Sequence, residues 1–207
     1  MVLAYTYHFD ILLGIQKLYI FIALLSTKGM NRTQAIQTLR YWDKNGRYVF
    51  TKQLLHKLFP QDNPKTLTEG LNRLLKDTIL IRACRGIYVN PHASSMDSYV
   101  IEQIAKTLRP GHYNYVSLES ILSEYGVISQ IPIDRLTVMT TGRKGTYRTP
   151  FGTIEYTHTK KSLVDIVNNI RTVKDRPLRI ATKEMAWRDL KRVGRNTTLI
   201  NLSELNE

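Results

Sequence analysis

Apolar and polar positions follow helical spacing through the first half of the segment 63–91, which holds the clearest pattern in the chain. The apolar positions of this half are Leu67, Leu71, Leu74 and Leu75. Asn63 is a favourable N-cap, and Pro64 suits the first helical position because its missing N–H would have no intrahelical partner there. Two short apolar runs follow on either side of Gly86, a residue type that tight turns favour. The pattern predicts an amphipathic helix followed by a two-stranded hairpin.

Two shorter helices are predicted upstream of this segment. The first covers residues 33–42 and is capped by Asn31 or Thr33. After a brief extended stretch, the second follows the cap residue Thr51 and covers residues 52–59. The order helix, strand, helix, helix and hairpin predicts a winged helix-turn-helix over residues 31–90, with the helix after Pro64 as recognition helix and the hairpin as wing.

The second half of the chain changes between helical and extended spacing, and it predicts an α+β domain with a small antiparallel sheet. Helices are expected over residues 97–108, 118–125, 162–171 and 183–193. Strands are expected over residues 113–116, 136–141, 146–149, 153–158 and 178–180. Ser117 is expected to cap the second of these helices. A linker at 91–95 divides the chain into a DNA-binding domain at 1–92, which includes an N-terminal helix, and an α+β domain at 93–207.

The charge balance points to a polyanionic partner. The 207 residues include 30 Lys and Arg against 17 Asp and Glu, a net charge of +13, and 43% of residues are hydrophobic. Nucleic acid is the first candidate, an anionic membrane surface the second, and an acidic protein the third. The single cysteine, Cys84, excludes an internal disulfide and a cysteine-based zinc site, and it fits a reducing cytoplasm.

The apolar stretch 11–25 is interrupted by Gln16 and Lys17. A membrane span needs roughly 20 apolar residues, so this stretch predicts a buried helix and no membrane association. No signal-peptide pattern precedes it. The expected location is cytoplasmic.

Candidate DNA contacts lie on the polar face of the predicted helix after Pro64. Asn72 and Arg73 are the candidates for reading bases, because both side chains can form bidentate contacts to purine edges. The remaining candidates for DNA contact are Lys52, Lys65, Thr66, Thr68 and Lys76, with Arg82 and Arg85 on the wing. The alternative is a solvated face that only covers a core. Gly70, in the middle of the helix, indicates a close approach of another helix or of DNA.

No catalytic or metal-binding constellation is predicted, and no cofactor is expected. The segment 142–146 resembles a phosphate loop only faintly, since it lacks the spacing and lies between strands, so a basic β-turn is expected. The histidines are scattered without an i, i+4 pair, and His158 is expected at the edge of the core. An enzyme acting on nucleic acid is therefore the weakest alternative.

Several short motifs occur in order along most of the chain. They are RGIYVNP at 85–91, LRPGHY at 108–113, VSLESILSEYGVI at 116–128, TTGR at 140–143, PFG at 150–152 and IEY at 154–156. With the predicted elements, these motifs resemble the AbiEi family, the antitoxins of type IV toxin–antitoxin systems associated with abortive phage infection. The stretch 11–25 is longer and more apolar than the simplest members need, and it is a candidate dimer or partner surface.

The resemblance implies an N-terminal winged helix that binds repeats in its own promoter as a repressor, with a homodimer on DNA as an expectation. It also implies a C-terminal domain that counters a cognate nucleotidyltransferase-like toxin. The family's DNA contacts map onto Lys65, Thr66, Asn72, Arg73, Arg82 and Arg85. Charge and turn placement select Arg143, Lys144 and Arg148 for the antitoxic surface. The basic residues expected to add DNA contacts near the last helix are Arg188, Lys191, Arg192 and Arg195.

Two other functions stay open from the sequence. A stand-alone winged-helix regulator would use its second domain to sense a ligand or to assemble. A nucleotidyltransferase-like reading frame beside the gene would favour the antitoxin over this regulator. The enzyme would instead show metal-dependent turnover of DNA, RNA or a nucleotide.

Overall fold

The computed structural model of the protein describes residues 30–128, 134–201 and 204, so the helix predicted over 11–25 lies outside the described residues. The chain divides into two compact units. The first unit contains the described residues up to Arg82 together with Tyr88–Ser95. The second unit contains the hairpin tip Ala83–Ile87 and the described residues from Met96 onwards.

Three helices, a strand and a hairpin follow one another at the start of the described chain, in the predicted order. These elements are α1 (Arg32–Lys44), β1 (Val49–Thr51), α2 (Lys52–Leu58), α3 (Pro64–Lys76), β2 (Ile81–Cys84) and β3 (Ile87–Val89). The strands form a three-stranded sheet in the order β1-β3-β2. Gly86 has a φ of 82° in the hairpin turn, a conformation that disfavours residues with a side chain.

Polar side chains begin the three helices, as their residue types predict. Asn31 Oδ1 accepts a hydrogen bond from the backbone N–H of Gln34, and the Gln34 side chain accepts one in return from the Asn31 N–H. Thr51 Oγ1 accepts from the N–H of Leu54 at the start of α2. Asn63 Oδ1 accepts from two N–H groups at the start of α3. These caps stabilise orphan donors in the first turns.

The core of the first unit is built from the apolar faces of α1, α2 and α3. Its buried residues include Ala35, Leu39, Phe50, Leu55, Leu58, Leu67, Leu71 and Leu74. Gly70 is also buried, and a Cβ added there would clash with Cε of Met30. The close approach that Gly70 indicates is therefore made by the Met30 side chain within the same unit.

The second unit contains a six-stranded sheet with helices on both faces. Its helices are α4 (Val100–Leu108), α5 (Leu118–Glu124), α6 (Leu163–Asn168) and α7 (Lys183–Val193), with a 3₁₀ turn at Thr197–Leu199. Its strands are β4 (Asn114–Val116), β5 (Arg135–Thr140), β6 (Gly145–Thr149), β7 (Gly152–His158), β8 (Ile170–Arg171) and β9 (Arg179–Ala181). The described chain is thus of mixed α+β class.

The prediction of a small antiparallel sheet is wrong. The strand order is β6-β7-β5-β4-β9-β8, and the pairs β5–β7 and β4–β9 are parallel. Alternation of apolar and polar residues identifies a strand and its buried face, but it does not say which strands are neighbours. Here β7 forms an antiparallel hairpin with β6 on one side and pairs in parallel with β5 on the other. The hairpin is therefore joined to the rest of the sheet through a parallel pair.

Two predicted helices are shorter in the structure. The helix expected over 162–171 ends at Asn168, and the next residues form β8. The Asn169 side chain donates to the backbone oxygen of Asp165 at 2.8 Å and so occupies a carbonyl at the end of α6. The helix expected from residue 97 begins at Val100. There Asp97 Oδ1 accepts from the N–H of Tyr99, a local turn that competes with helix formation.

A buried polar cluster connects β4 with α7. Asp189 is fully buried, and its carboxylate accepts hydrogen bonds from Ser117 Oγ at 2.9 Å and Tyr115 Oη at 3.2 Å. Lys161 Nζ lies 3.1 Å from the other carboxylate oxygen. Ser117 occupies the N-cap position of α5 but makes no capping hydrogen bond. The prediction that its side chain caps this helix is therefore wrong, because its hydroxyl binds Asp189 instead.

Each face of the sheet is covered by a different set of helices. Tyr156 Oη donates to the carbonyl of Ala105, which joins β7 to α4 on one face. On the other face, Thr137 Oγ1 donates to the carbonyl of Ser117 just before α5, and α5 packs against α7. Among the described helices, none combines the length and the apolar character needed to cross a membrane.

Candidate nucleic-acid interface

Helix α3 has one buried and one exposed face. The buried residues are Leu67, Gly70, Leu71 and Leu74. The exposed residues are Lys65, Glu69, Asn72, Arg73 and Lys76. Within the described chain, the side chains of Asn72 and Arg73 have no hydrogen-bonding or ion-pair partner. The amide and the guanidinium therefore present all their donors to the outside of the unit.

The first turn of α3 lies beside the start of α2. Lys52 Nζ donates to Thr68 Oγ1 at 3.0 Å, and the Thr68 hydroxyl donates to the backbone oxygen of Pro64 at 2.7 Å. Thr66 and Thr68 are half-buried, whereas Lys52 is exposed. The structure thus brings together Lys52 and Thr68, two residues that sequence reasoning selected from different helices. An ammonium group beside the positive end of a helix is a favourable environment for an anion.

The two wing arginines differ in the unit to which they belong. Arg82 is exposed on β2 in the first unit. Arg85 is exposed at the hairpin tip, which belongs to the second unit. Neither side chain has a hydrogen bond or an ion pair within the described residues. Arg82 therefore belongs to the same unit as α3, whereas Arg85 does not.

Two carboxylates of the first unit, Asp43 and Asp62, bind backbone N–H groups and do not pair with these cations. Asp43 accepts from the N–H groups of Ser94 and Ser95, both at 2.9 Å. Asp62 accepts from the N–H of Met30 through both oxygens, at 3.0 and 3.1 Å. Burial acts to raise the pKa of Asp43, but hydrogen bonds from Ser95 and Ser94 outweigh it and lower the pKa below its usual value. The positive charge on α3 therefore meets little local compensation, apart from the exposed Glu69.

The residues predicted for the antitoxic surface do not form a single group. Arg143 and Lys144 are adjacent and exposed in the turn between β5 and β6. Arg148 is exposed further along β6, where it pairs in register with Thr153. Because side chains alternate along a strand, Arg148 lies on the face opposite Tyr147. None of the three cations has a side-chain partner within the described residues.

The basic residues in and after α7 are all engaged within the second unit. Arg195 binds both carboxylate oxygens of Glu119, at 2.9 and 3.1 Å, and also binds Glu155. Burial acts to lower the pKa of Arg195, but its hydrogen bonds to Glu155 and Glu119 outweigh this and raise the pKa. The other contacts are Arg188 to Asn169, Lys191 over the ring of Trp187 and Arg192 to the carbonyl of His158. This group is therefore less available to DNA than the sequence predicts.

Sequence reasoning missed two ionic groups of the second unit. Asp189 occupies the apolar stripe of α7, four residues after Met185 and next to Leu190, so its spacing could have marked it as buried. Arg176 binds Glu102 and Glu124 and is almost fully buried. Arg176 lies in the loop between β8 and β9, where no helical or strand spacing marks a residue as buried. No cluster of three or more potential metal ligands occurs among the described residues.

Comparisons with known proteins give little further information. No protein-family model matches the sequence, and no curated protein matches it significantly. One similar solved structure is the crystal structure of the RV2827C protein from Mycobacterium tuberculosis, with 14% sequence identity and a TM-score of 0.44. The match covers 67% of this chain and 49% of the RV2827C chain. The chain therefore spans about half the length of that protein.

Proposed function

We propose that this protein is the antitoxin of a type IV toxin–antitoxin system and represses its own promoter. The first unit acts as a winged helix-turn-helix with α3 as recognition helix. The second unit counteracts a nucleotidyltransferase-like toxin. The observation that carries the DNA-binding part is the exposed face of α3, on which Asn72, Arg73 and two lysines have no partner within the described residues.

The chemistry of α3 fits the major groove of DNA. The groove admits an α-helix, and its purine edges accept bidentate contacts from Asn and Arg. Asn72 and Arg73 would read bases, while Lys65, Lys76 and Lys52 would bind phosphates and set the register. Thr66, Thr68 and Arg82 would border this interface. Arg85 would contribute a phosphate or minor-groove contact from the hairpin tip.

The antitoxin assignment draws its support from the ordered AbiEi-like motifs. Arg143 and Lys144 in the turn, and separately Arg148 further along on β6, have no side-chain partner within the described residues and would act on an acidic toxin or on the nucleic acid that the toxin uses. The protein would work in the cytoplasm, as a homodimer on inverted repeats. No metal or cofactor enters this role.

A gel-shift titration with the DNA upstream of the gene tests the DNA-binding proposal. The test variant is Asn72→Ala with Arg73→Ala, and the matched control is Gln37→Ala with Arg40→Ala, an exposed amide and arginine on α1. We expect wild type and control to prefer the upstream DNA to random DNA, and the test variant to fall to its non-specific affinity. Equal binding by all three proteins, with only a steep salt dependence, would show that α3 does not read bases.

Co-expression with the neighbouring toxin gene tests the antitoxin proposal separately. Wild-type protein should relieve growth inhibition, and the Asn72→Ala, Arg73→Ala variant should still do so because its second unit is intact. Removing the side chains of Arg143, Lys144 and Arg148 together should weaken this relief. Failure of the wild type to protect would favour a stand-alone regulator.

A further inference from the structure

One end of the second unit's sheet gathers loops that are far apart in sequence. The parallel strands β5 and β7 end side by side, with Thr140 opposite His158. Strand β4 begins at Asn114, opposite Thr140 on the other side of β5. Strand β6 begins at Gly145, opposite Tyr156. The loop before β4, the turn between β5 and β6 and the residues after β7 therefore meet at this end.

Gly142 lies next to two histidines at this end of the sheet, His112 and His158. The carbonyl of Gly142 lies 2.7 Å from Nδ1 of His158. A Cβ added to Gly142 would lie 3.0 to 3.3 Å from the ring of His112. A side chain at this position would displace the imidazole by a few tenths of an ångström, so the glycine permits the close contact of His112 with the turn. Both histidines are exposed, and Arg143 and Lys144 follow Gly142 directly.

Cations are concentrated here without any nearby carboxylate in the contributing segments. Residues 103–118, 136–154 and 156–164 contain no Asp or Glu. Glu155, which separates two of these segments, is bound to Arg135 and Arg195 instead. Lys160 is exposed and follows Thr159, whose N–H donates to the Thr140 carbonyl at the same sheet end. Lys161 is paired with Asp189, but Arg143, Lys144 and Lys160 have no ion-pair partner within the described residues.

Arg109 adds a half-buried cation behind the turn. Its guanidinium lies over the rings of Tyr147 and Tyr156, at 5.4 and 5.2 Å from their centroids. Its Nη2 donates to Tyr147 Oη at 2.9 Å, and its Nε is buried with no hydrogen-bond partner among the described residues. A Cβ added to Gly145 would lie 3.6 Å from this guanidinium. Arg109 therefore supplies positive charge beside the turn, and within the described chain it has no carboxylate partner.

An exposed tyrosine, Tyr113, lies at the same end of the sheet. The backbone of Tyr113 exchanges hydrogen bonds with Thr141, next to Gly142. The residue keeps 39% of its surface exposed. Aromatic rings beside a basic groove are the usual way in which proteins bind single-stranded nucleic acid, because every base can stack.

We propose that this sheet end binds single-stranded nucleic acid, with phosphate held by Arg143 and Lys144 and a base stacked on Tyr113. His112 and His158 border the phosphate position, and Gly142 lets them approach the turn. The binding itself does not depend on the DNA-binding role of α3. It deepens the proposed antitoxin role by naming the ligand class of the Arg143–Lys144 surface, and in that respect it rests on the proposed function.

Fluorescence anisotropy with the full chain tests this proposal. The probe is a labelled single-stranded RNA of about 12 nucleotides and mixed sequence, within the range that single-strand-binding folds cover. Arg143→Ala with Lys144→Ala should weaken binding at least roughly tenfold. Tyr113→Ala should weaken it roughly 5- to 100-fold, whereas Tyr113→Phe, which keeps the ring, should bind like wild type.

Two controls separate this site from other positive surfaces. Lys183→Ala with Arg188→Ala removes the same two types of cation from the first half of α7, which follows β9 at the other end of the sheet. This variant and Asn72→Ala, Arg73→Ala should both bind the probe within about twofold of wild type. The Asn72→Ala, Arg73→Ala variant can therefore lose specific binding to the promoter DNA and still bind RNA. The Arg143→Ala, Lys144→Ala variant can lose RNA binding and still bind the promoter DNA.

Three results would overturn the proposal. The first is the absence of binding by wild type at about 0.1 M salt. The second is unchanged binding by Tyr113→Ala together with equal affinity for a duplex of the same length, which would indicate phosphate contacts alone. The third is an equal loss in the α7 control variant, which would indicate a non-specific effect of net charge. Competition by a free mononucleotide, but not by inorganic phosphate, would support recognition of base and phosphate together.

Discussion

Helices α3 and α7 are both amphipathic and basic, but they use their cations differently. On α3, the side chains of Lys65, Arg73 and Lys76 have no partner within the described residues. On α7, Arg188, Lys191 and Arg192 each contact a neighbouring side chain or carbonyl. A count of charges along the sequence does not distinguish the two helices. Only the arrangement of their neighbours shows which positive charge is free.

The difference originates in the carboxylates of each unit. In the second unit Glu119, Glu155 and Asp189 bind arginine or lysine. In the first unit Asp43 and Asp62 accept hydrogen bonds from backbone N–H groups. Asp77 alone among its described carboxylates forms an ion pair, an exposed contact to Arg32 at 3.4 Å. Two of the described acids of the first unit, Asp43 and Asp62, therefore bind backbone groups, and the cations on the exposed face of α3 keep no carboxylate partner within the described residues.

The largest expected effect concerns the buried carboxylate of α7. Asp189→Asn would leave the Lys161 ammonium half enclosed without a counter-charge, and we expect a loss of about 3–5 kcal/mol in unfolding free energy. Urea denaturation measures this loss. A double variant, Asp189→Asn with Lys161→Met, should recover much of it, because the ammonium left without a counter-charge is removed while the amide oxygen can still accept from Ser117 and Tyr115. An unchanged midpoint for Asp189→Asn would show that the pair is not a structural charge, and it would weaken the contrast with α3.

The next effect compares one arginine from each group. Arg195→Ala removes the partner of Glu119, whose side chain is 7% exposed, and we expect a loss of about 2 kcal/mol. Arg73→Ala should change the unfolding free energy by less than about 0.5 kcal/mol, because it removes an exposed side chain with no partner within the described chain. Operator binding should show the opposite order. Equal losses of stability in the two variants would remove the distinction between paired and free cations.

The helices of the first unit followed from local chemistry and could be predicted. Asn31, Thr51 and Asn63 act as caps, and the leucine spacing of α3 gives its buried face. These signals are contained within a few consecutive residues. The exposed face of α3 was predictable for the same reason, because it is what remains when the apolar positions are assigned to the core.

The second unit was less predictable because its organisation depends on distant partners. Ser117 has a cap residue's identity and position, yet its hydroxyl binds Asp189, 72 residues away. Arg195 reads as a free basic residue, yet it binds Glu119 and Glu155. The parallel pairing of β5 with β7 likewise has no local signature. The gathering of His112, Gly142 and His158 at one sheet end required the topology.

Salt dependence of operator binding distinguishes free from engaged cations on the two helices. Each phosphate contact that is lost reduces the slope of log affinity against log salt by about one unit. We therefore expect Lys65→Ala and Lys76→Ala each to lower the slope by about one. Lys191→Ala on α7 should leave the slope unchanged, although it removes the same charge. A reduced slope in the Lys191 variant would place the second unit on the DNA as well.

The smallest effect tests whether the acids of the first unit serve the backbone. The pKa of Asp43 is lower in the folded chain than in the unfolded chain, so the unfolded chain takes up the proton more readily as pH falls. Its stabilising contribution is complete above about pH 4, the unfolded value, and is lost as pH falls through the folded pKa. Asp43→Asn should therefore lower the unfolding free energy by about 1 kcal/mol at pH 7, with a gap to wild type that closes in acid.

The exposed Asp77 provides the matched control for this measurement, since its partner is a cation. Asp77→Asn should cost less than about 1 kcal/mol, and the cost should shrink as salt screens the pair. The cost of Asp43→Asn should hardly respond to salt, because the Ser94 and Ser95 amides carry no net charge. If the Asp43 variant were as salt-sensitive as the Asp77 variant, Asp43 would be acting on nearby cations. Asp43 would then neutralise part of the positive charge of the first unit, although its hydrogen bonds go to backbone N–H groups.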